Sequence, residues 1–86
     1  MGTNFQETAH DEYRLCFTTK KQKALFDRLL NAAKGVDSWE LEDEAAGDAL
    51  LRELDDIHTK VFLSNCNKRE EILSFVTEMY NHIIGW

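Results

Sequence analysis

Proline is missing from this chain of 86 residues, and glycine occurs only four times. Proline is the residue a helix interior tolerates least, so its absence favours a helical chain. Cysteine is scarce as well. Cys16 and Cys66 stand far apart and form no CxxC unit. Without a secretory signal they read as two reduced thiols of a cytoplasmic protein. No apolar run approaches the roughly 20 residues that span a bilayer. The N-terminal MGTNFQETAHDEYR is polar, which excludes a signal peptide, and Gln6 stands where a myristoylation motif needs Ser or Thr. Cations are in deficit: the net charge is −6, against the basic balance of a protein that neutralises phosphates. No membrane contact and no direct nucleic-acid binding are expected.

What is present is a globular composition, 43% hydrophobic, enough for one small domain over residues 12–86 behind a flexible tail at 1–11. The charge is uneven. Residues 19–36 carry five cations against Asp27 alone, and residues 37–56 carry nine acids against Arg52 alone. The two segments could pair within the fold or present two faces to two partners.

The spacing predicts a mainly α fold, a small bundle of three to four helices. Thr19-Lys20-Lys21-Gln22 fits a capping box, and Leu25, Phe26, Leu29, Leu30 and Ala33 recur at helical spacing. Lys34-Gly35 then reads as a stop, giving a helix over 19–34. Asp37-Ser38-Trp39-Glu40 reads as a second capping box, with Val36 and Leu41 as a hydrophobic staple. Gly47-Asp48 offers a glycine stop and an aspartate cap, so a short helix at 38–46 is expected to bend into a longer one at 49–63. Asn67 reads as the cap of a last helix, 68–84, which Gly85 ends. Upstream, Tyr13, Leu15 and Phe17 alternate with Arg14, Cys16 and Thr18, the period of an extended or β-strand segment over 12–18.

The last two helices carry more apolar surface than one packed face needs. Leu51, His58 and Phe62 run beside Leu54, Ile57 and Val61. Leu73, Tyr80 and Ile84 run beside Ile72, Val76, Met79 and Ile83. Either these helices lie in the middle of the domain or the extra stripes meet another chain. Trp39 and Trp86 are of the type that anchors interfaces. Trp39 could equally fill the junction between helices.

Catalytic and metal chemistry finds little support. Cys16, His58, Cys66 and His82 lack the spacing of a zinc site, and His82 could pair with Glu78 one turn back. Nothing beside either cysteine marks an activated nucleophile. Glu53-Leu54-Asp55-Asp56 supplies an ExxD, and Asp43-Glu44-Ala45-Ala46-Gly47 begins like an EExxE, so the pair resembles in part the all-helical nucleotide pyrophosphohydrolases. Gly47 stands where the last acid belongs, and the two clusters are too close for two full antiparallel helices. That resemblance is rejected, and neither enzyme activity nor a cofactor is expected.

The expectation is a small acidic protein-binding module, such as an inhibitor, adaptor or accessory factor of the kind phages and mobile elements encode. Its partner would be another protein or a second copy in a homodimer. The candidate contact residues are Trp39, Glu42, Asp43, Glu44, Leu51, Phe62, Leu73, Tyr80, Ile84 and Trp86. The alternative is an acidic mimic of nucleic acid that uses Glu40, Asp43, Glu44, Asp48, Asp55 and Asp56 as phosphate substitutes. A metal-dependent hydrolase is the remote alternative.

Overall fold

Thr19 opens a helix, as its spacing from Gln22 predicts. Its hydroxyl accepts from the Gln22 N–H at 3.1 Å, and the Gln22 side-chain oxygen accepts from the Thr18 and Thr19 N–H groups at 3.0 and 3.4 Å. Both halves of the capping box are made.

The structure, a computed structural model, describes residues 4–85. Among the described residues it has four α-helices and no strand: α1 (Phe5–Tyr13), α2 (Lys20–Ser38), α3 (Glu44–Leu63) and α4 (Arg69–Ile84), with one 3₁₀ turn at Arg14–Cys16. The small helical bundle is therefore the fold. Its centre is Leu29 and Val36 from α2, Leu54, Ile57 and Val61 from α3, and Ile72, Val76 and Met79 from α4, all essentially inaccessible to solvent. The α3–α4 contact is the most extensive.

Helix α1 replaces most of the expected tail, and the segment expected to be extended is largely helical. Asn4 caps α1 by accepting from the Glu7 N–H at 2.7 Å. Ala9 and Tyr13 are buried, and the Phe5 and Tyr13 rings meet Phe75 of α4 with centroids 5.8 and 5.4 Å apart. The strand reading fails because the alternation does not match burial. Tyr13, Cys16 and Phe17 turn inward, while Leu15 is 78% exposed. That is the spacing of a helix end and a 3₁₀ turn.

Helix α2 does not stop at Gly35 but continues to Ser38. A glycine inside a helix costs about 1 kcal/mol relative to alanine. Here it gives clearance: a Cβ at Gly35 would lie 2.7 Å from Leu50 Cδ2. Asp37 accordingly caps no helix of its own. It lies in the last turn of α2, and its carboxylate accepts from the Phe5 and Gln6 N–H groups at 2.7 and 2.9 Å. It thus caps α1 from across the fold.

The two helices expected at 38–46 and 49–63 are instead a loop and one unbroken α3. Asp43 is the cap, accepting from the Ala46 N–H at 3.0 Å, and Asp48 caps nothing. Gly47 is buried inside α3, where a Cβ would lie 3.0 Å from Trp39 Nε1. The glycine seats the indole and does not end a helix. The expected staple is absent, because Leu41 is 78% exposed.

Helix α4 begins one residue later than expected. Lys68, at φ 58°, takes the cap position with no side-chain capping bond, so Asn67 does not serve. Gly85 at φ 89° closes the helix as expected, its N–H donating to the Asn81 carbonyl at 3.1 Å.

Candidate interaction surface

The basic α2 and the acidic α3 pair with each other in part. Arg28 donates from Nε and Nη2 to the Glu53 carboxylate at 3.1 and 2.6 Å, and its Nη2 also lies 2.8 Å from Asp56. Lys60 reaches Asp56 from one turn further on, at 3.3 Å. Hydrogen bonds from Arg28 and then Lys60 hold the Asp56 carboxyl below the usual aspartate range. The Arg28 guanidinium is held more firmly protonated by Glu53 and then Asp56. With Gly35 against Leu50, these contacts show α2 and α3 running antiparallel.

The six acids of residues 37–48 divide differently from the expectation. Asp37 and Asp43 are caps. Glu40, Glu42, Glu44 and Asp48 are exposed, with no ion pair among the described residues. Trp39 does not stand free beside them. Its Nε1–H donates to the Asp43 carbonyl at 3.1 Å, its ring covers Gly47, and its edge faces His82 at 6.5 Å between centroids. It fills the α2–α3 junction. His82 meets the rings of Trp39 and Phe5, not the carboxylate of Glu78.

Of the surplus stripes, Leu51, Leu73 and Tyr80 are half-buried and pack against the core. Phe62 and Ile84 stay 55% and 46% exposed at opposite ends of the α3–α4 hairpin. Trp86 lies outside the described residues. The core therefore takes up much of the second stripe, while Phe62 and Ile84 stay open.

Both thiols are free and buried, and the Ser64 hydroxyl lies 3.2 Å from Cys66 Sγ. Burial pushes the Cys16 thiol up, which keeps it protonated and a poor nucleophile. Among the described residues no three His, Cys, Asp or Glu side chains gather as a metal would require. No helix of the described residues is long and apolar enough to cross a membrane.

The structure also assembles a surface that helical periodicity does not show. Residues 14–23 and 60–69 hold seven of the ten Lys and Arg and no acid. The fold joins these segments at one end of the bundle. Cys16 lies within electrostatic reach of Cys66 and Lys68, and Lys21 shares a groove with Lys60 and Leu63. Leu15 on the first segment and Phe62 and Leu63 on the second are exposed, Leu15 and Leu63 to 78% and 74%. Arg69 stacks its guanidinium over the Phe62 ring at 5.6 Å and donates to the Phe62 carbonyl at 3.1 Å. The groove measures about 460 Å³, and Ala24, Leu25 and Leu63 make its largely apolar lining. The only advance signal was local: two acid-free basic stretches, each holding an exposed leucine.

These two ends differ in charge. The acidic loop follows the C-terminus of α2 and the basic end surrounds its N-terminus. Nineteen residues at 1.5 Å each separate them by roughly 28 Å, most of the molecule's 37 Å long axis. Compared with protein-family models, with curated proteins and with solved structures, the chain matches none.

Proposed function

We propose that this chain is a small protein-binding module that acts by contact, as an inhibitor, adaptor or accessory factor does. One observation carries the reading: the basic end holds a largely apolar groove walled by the exposed Leu63, and Leu15 and Phe62 are exposed on the same two basic segments. Exposed apolar side chains grouped at one place are the mark of an interaction surface. The cations around them add electrostatic selection for an acidic partner. Two free buried thiols fit a reducing compartment such as the cytoplasm. The reading is tested by affinity capture from the native source with wild-type and Leu63→Glu baits. A partner held by the wild type and lost by the variant supports it. Identical capture profiles count against it.

A second reading, mimicry of nucleic acid, is favoured by the exposure of Glu40, Glu44 and Asp48 in a stretch with no Lys or Arg. Asp55 is exposed as well, while Asp43 is engaged as a cap and Asp56 pairs with Arg28 and Lys60. A nucleic-acid-binding partner released by Glu44→Lys with Asp48→Lys, and released equally by high salt, would support mimicry. Retention under both conditions would remove it.

A further inference from the structure

The basic end calls for an apolar side chain set among acids, and the opposite end of this chain presents one. Leu41 is 78% exposed and stands between Glu40 and Glu42, with Asp43 following. The groove at the start of α2 offers Ala24, Leu25 and Leu63 beneath Lys21 and Lys60. We propose that two copies of this chain pair antiparallel, each seating Leu41 in the groove of the other, with Glu40 and Glu42 facing Lys21 and Lys60. This rests on the protein-binding reading and names its partner as a second copy.

Three observations support that occupant. First, the match cannot be met within one molecule, because the loop and the groove lie at opposite ends of α2. Second, both lie on the same helix pair. The loop joins α2 to α3 at one end, and the groove separates their other ends. Two copies laid side by side in opposite directions bring each loop end beside the groove end of the other, and a pair of that kind closes as a two-fold dimer, the commonest symmetric assembly. Third, the charges complement locally although each copy carries −6. At physiological salt, charges beyond about 8 Å are largely screened, so the facing groups decide the outcome.

The test is sedimentation equilibrium of the full chain over a range of concentrations. The expected result is a monomer–dimer equilibrium that weakens in about 1 M salt, where screening reaches roughly 3 Å. Lys21→Glu alone and Glu42→Lys alone are each expected to weaken dimerisation by about tenfold or more, since each places like charges at both contacts. Mixing the two variants restores pairing, because Glu at position 21 then faces Lys at position 42 and the second contact is wild type. Leu41→Glu abolishes pairing with the helical circular dichroism unchanged, which separates lost contact from lost fold. A strict monomer at every concentration overturns the proposal, as does growth past the dimer or failure of the mixed variants to pair. A monomer that co-sediments with phosphatidylglycerol vesicles would overturn it too, assigning the basic end to an anionic lipid surface. A monomer whose Leu63→Glu variant loses a captured protein would overturn the self-pairing alone and leave the protein-binding reading intact.

Discussion

Gly35 and Gly47 show how much of a residue's purpose depends on a neighbour far away in sequence. Each is followed by an acid within two residues, and each reads locally as a helix stop. Each instead lies inside a helix at a point of close approach. Leu50 covers Gly35 and Trp39 covers Gly47. The two differ in what an added methyl group would meet, and so in the sign of the effect. At Gly35 the obstacle is the Cδ2 end of a flexible, half-buried leucine, which can turn aside. The gain in helix propensity, about 1 kcal/mol, then dominates. Gly35→Ala is expected to leave stability unchanged or raised by up to ~1 kcal/mol. At Gly47 the obstacle is a rigid indole pinned by its bond to the Asp43 carbonyl, with ring atoms at 3.0–3.4 Å. Gly47→Ala is expected to cost about 1 kcal/mol by overpacking and to shift Trp39 emission toward the solvent-exposed position. Urea unfolding and fluorescence in a Trp86→Phe background measure both. A Gly47→Ala protein as stable as Gly35→Ala, with unmoved emission, would contradict this account.

At the scale of elements, helix content and two of the local end signals were legible. Thr19 with Gln22 and the closing Gly85 are short-range signals, and both work as read. What the local signal missed is long-range. Asp37 looks like a cap for the helix after it, but it caps α1, more than thirty residues upstream in sequence. The extended reading of 12–18 rested on six residues of alternation, too few to outweigh the burial of Tyr13, Cys16 and Phe17 against α2 and α4. The α2–α3 pairing was foreseen only as one of two alternatives. It has a consequence in acid. Asp56 has a folded pKa below its ordinary 3.8, so the unfolded chain takes up protons first. The contribution of the Arg28–Asp56 pair is complete above 3.8 and is lost as pH falls through the lower folded value. Urea midpoints taken from about pH 6 down to pH 2 should fall more steeply for the wild type than for Arg28→Gln, which lacks the partner. Parallel curves would mean that the pair adds nothing in solution.

Over the whole molecule, helical spacing separates core from surface on α3 and α4 but does not show which of the remaining apolar side chains stay open. Leu51, Leu73 and Tyr80 are half-buried against the core, beyond the stripe that faces the centre. No periodicity count distinguishes a half-buried stripe from one left open. The basic end was missed for a related reason. Its two halves lie about forty residues apart and join only when the bundle closes. Whether a given leucine holds the fold together or is held in reserve for contact is therefore a question of energy, and two substitutions answer it. Ile57 is fully enclosed, so Ile57→Ala should cost about 2–5 kcal/mol from lost transfer and a residual cavity. Leu63 is 74% exposed at the end of α3, so Leu63→Glu leaves no cavity. Its expected cost is up to about 1 kcal/mol, from an acid at the negative end of a helix. Chemical denaturation of dilute samples, where association does not contribute, measures both. If Leu63→Glu matched the loss of Ile57→Ala, Leu63 would be a core residue and the basic end would not be an open surface. If the difference holds, an exposed leucine that the fold does not need is kept beside a groove that it helps to line.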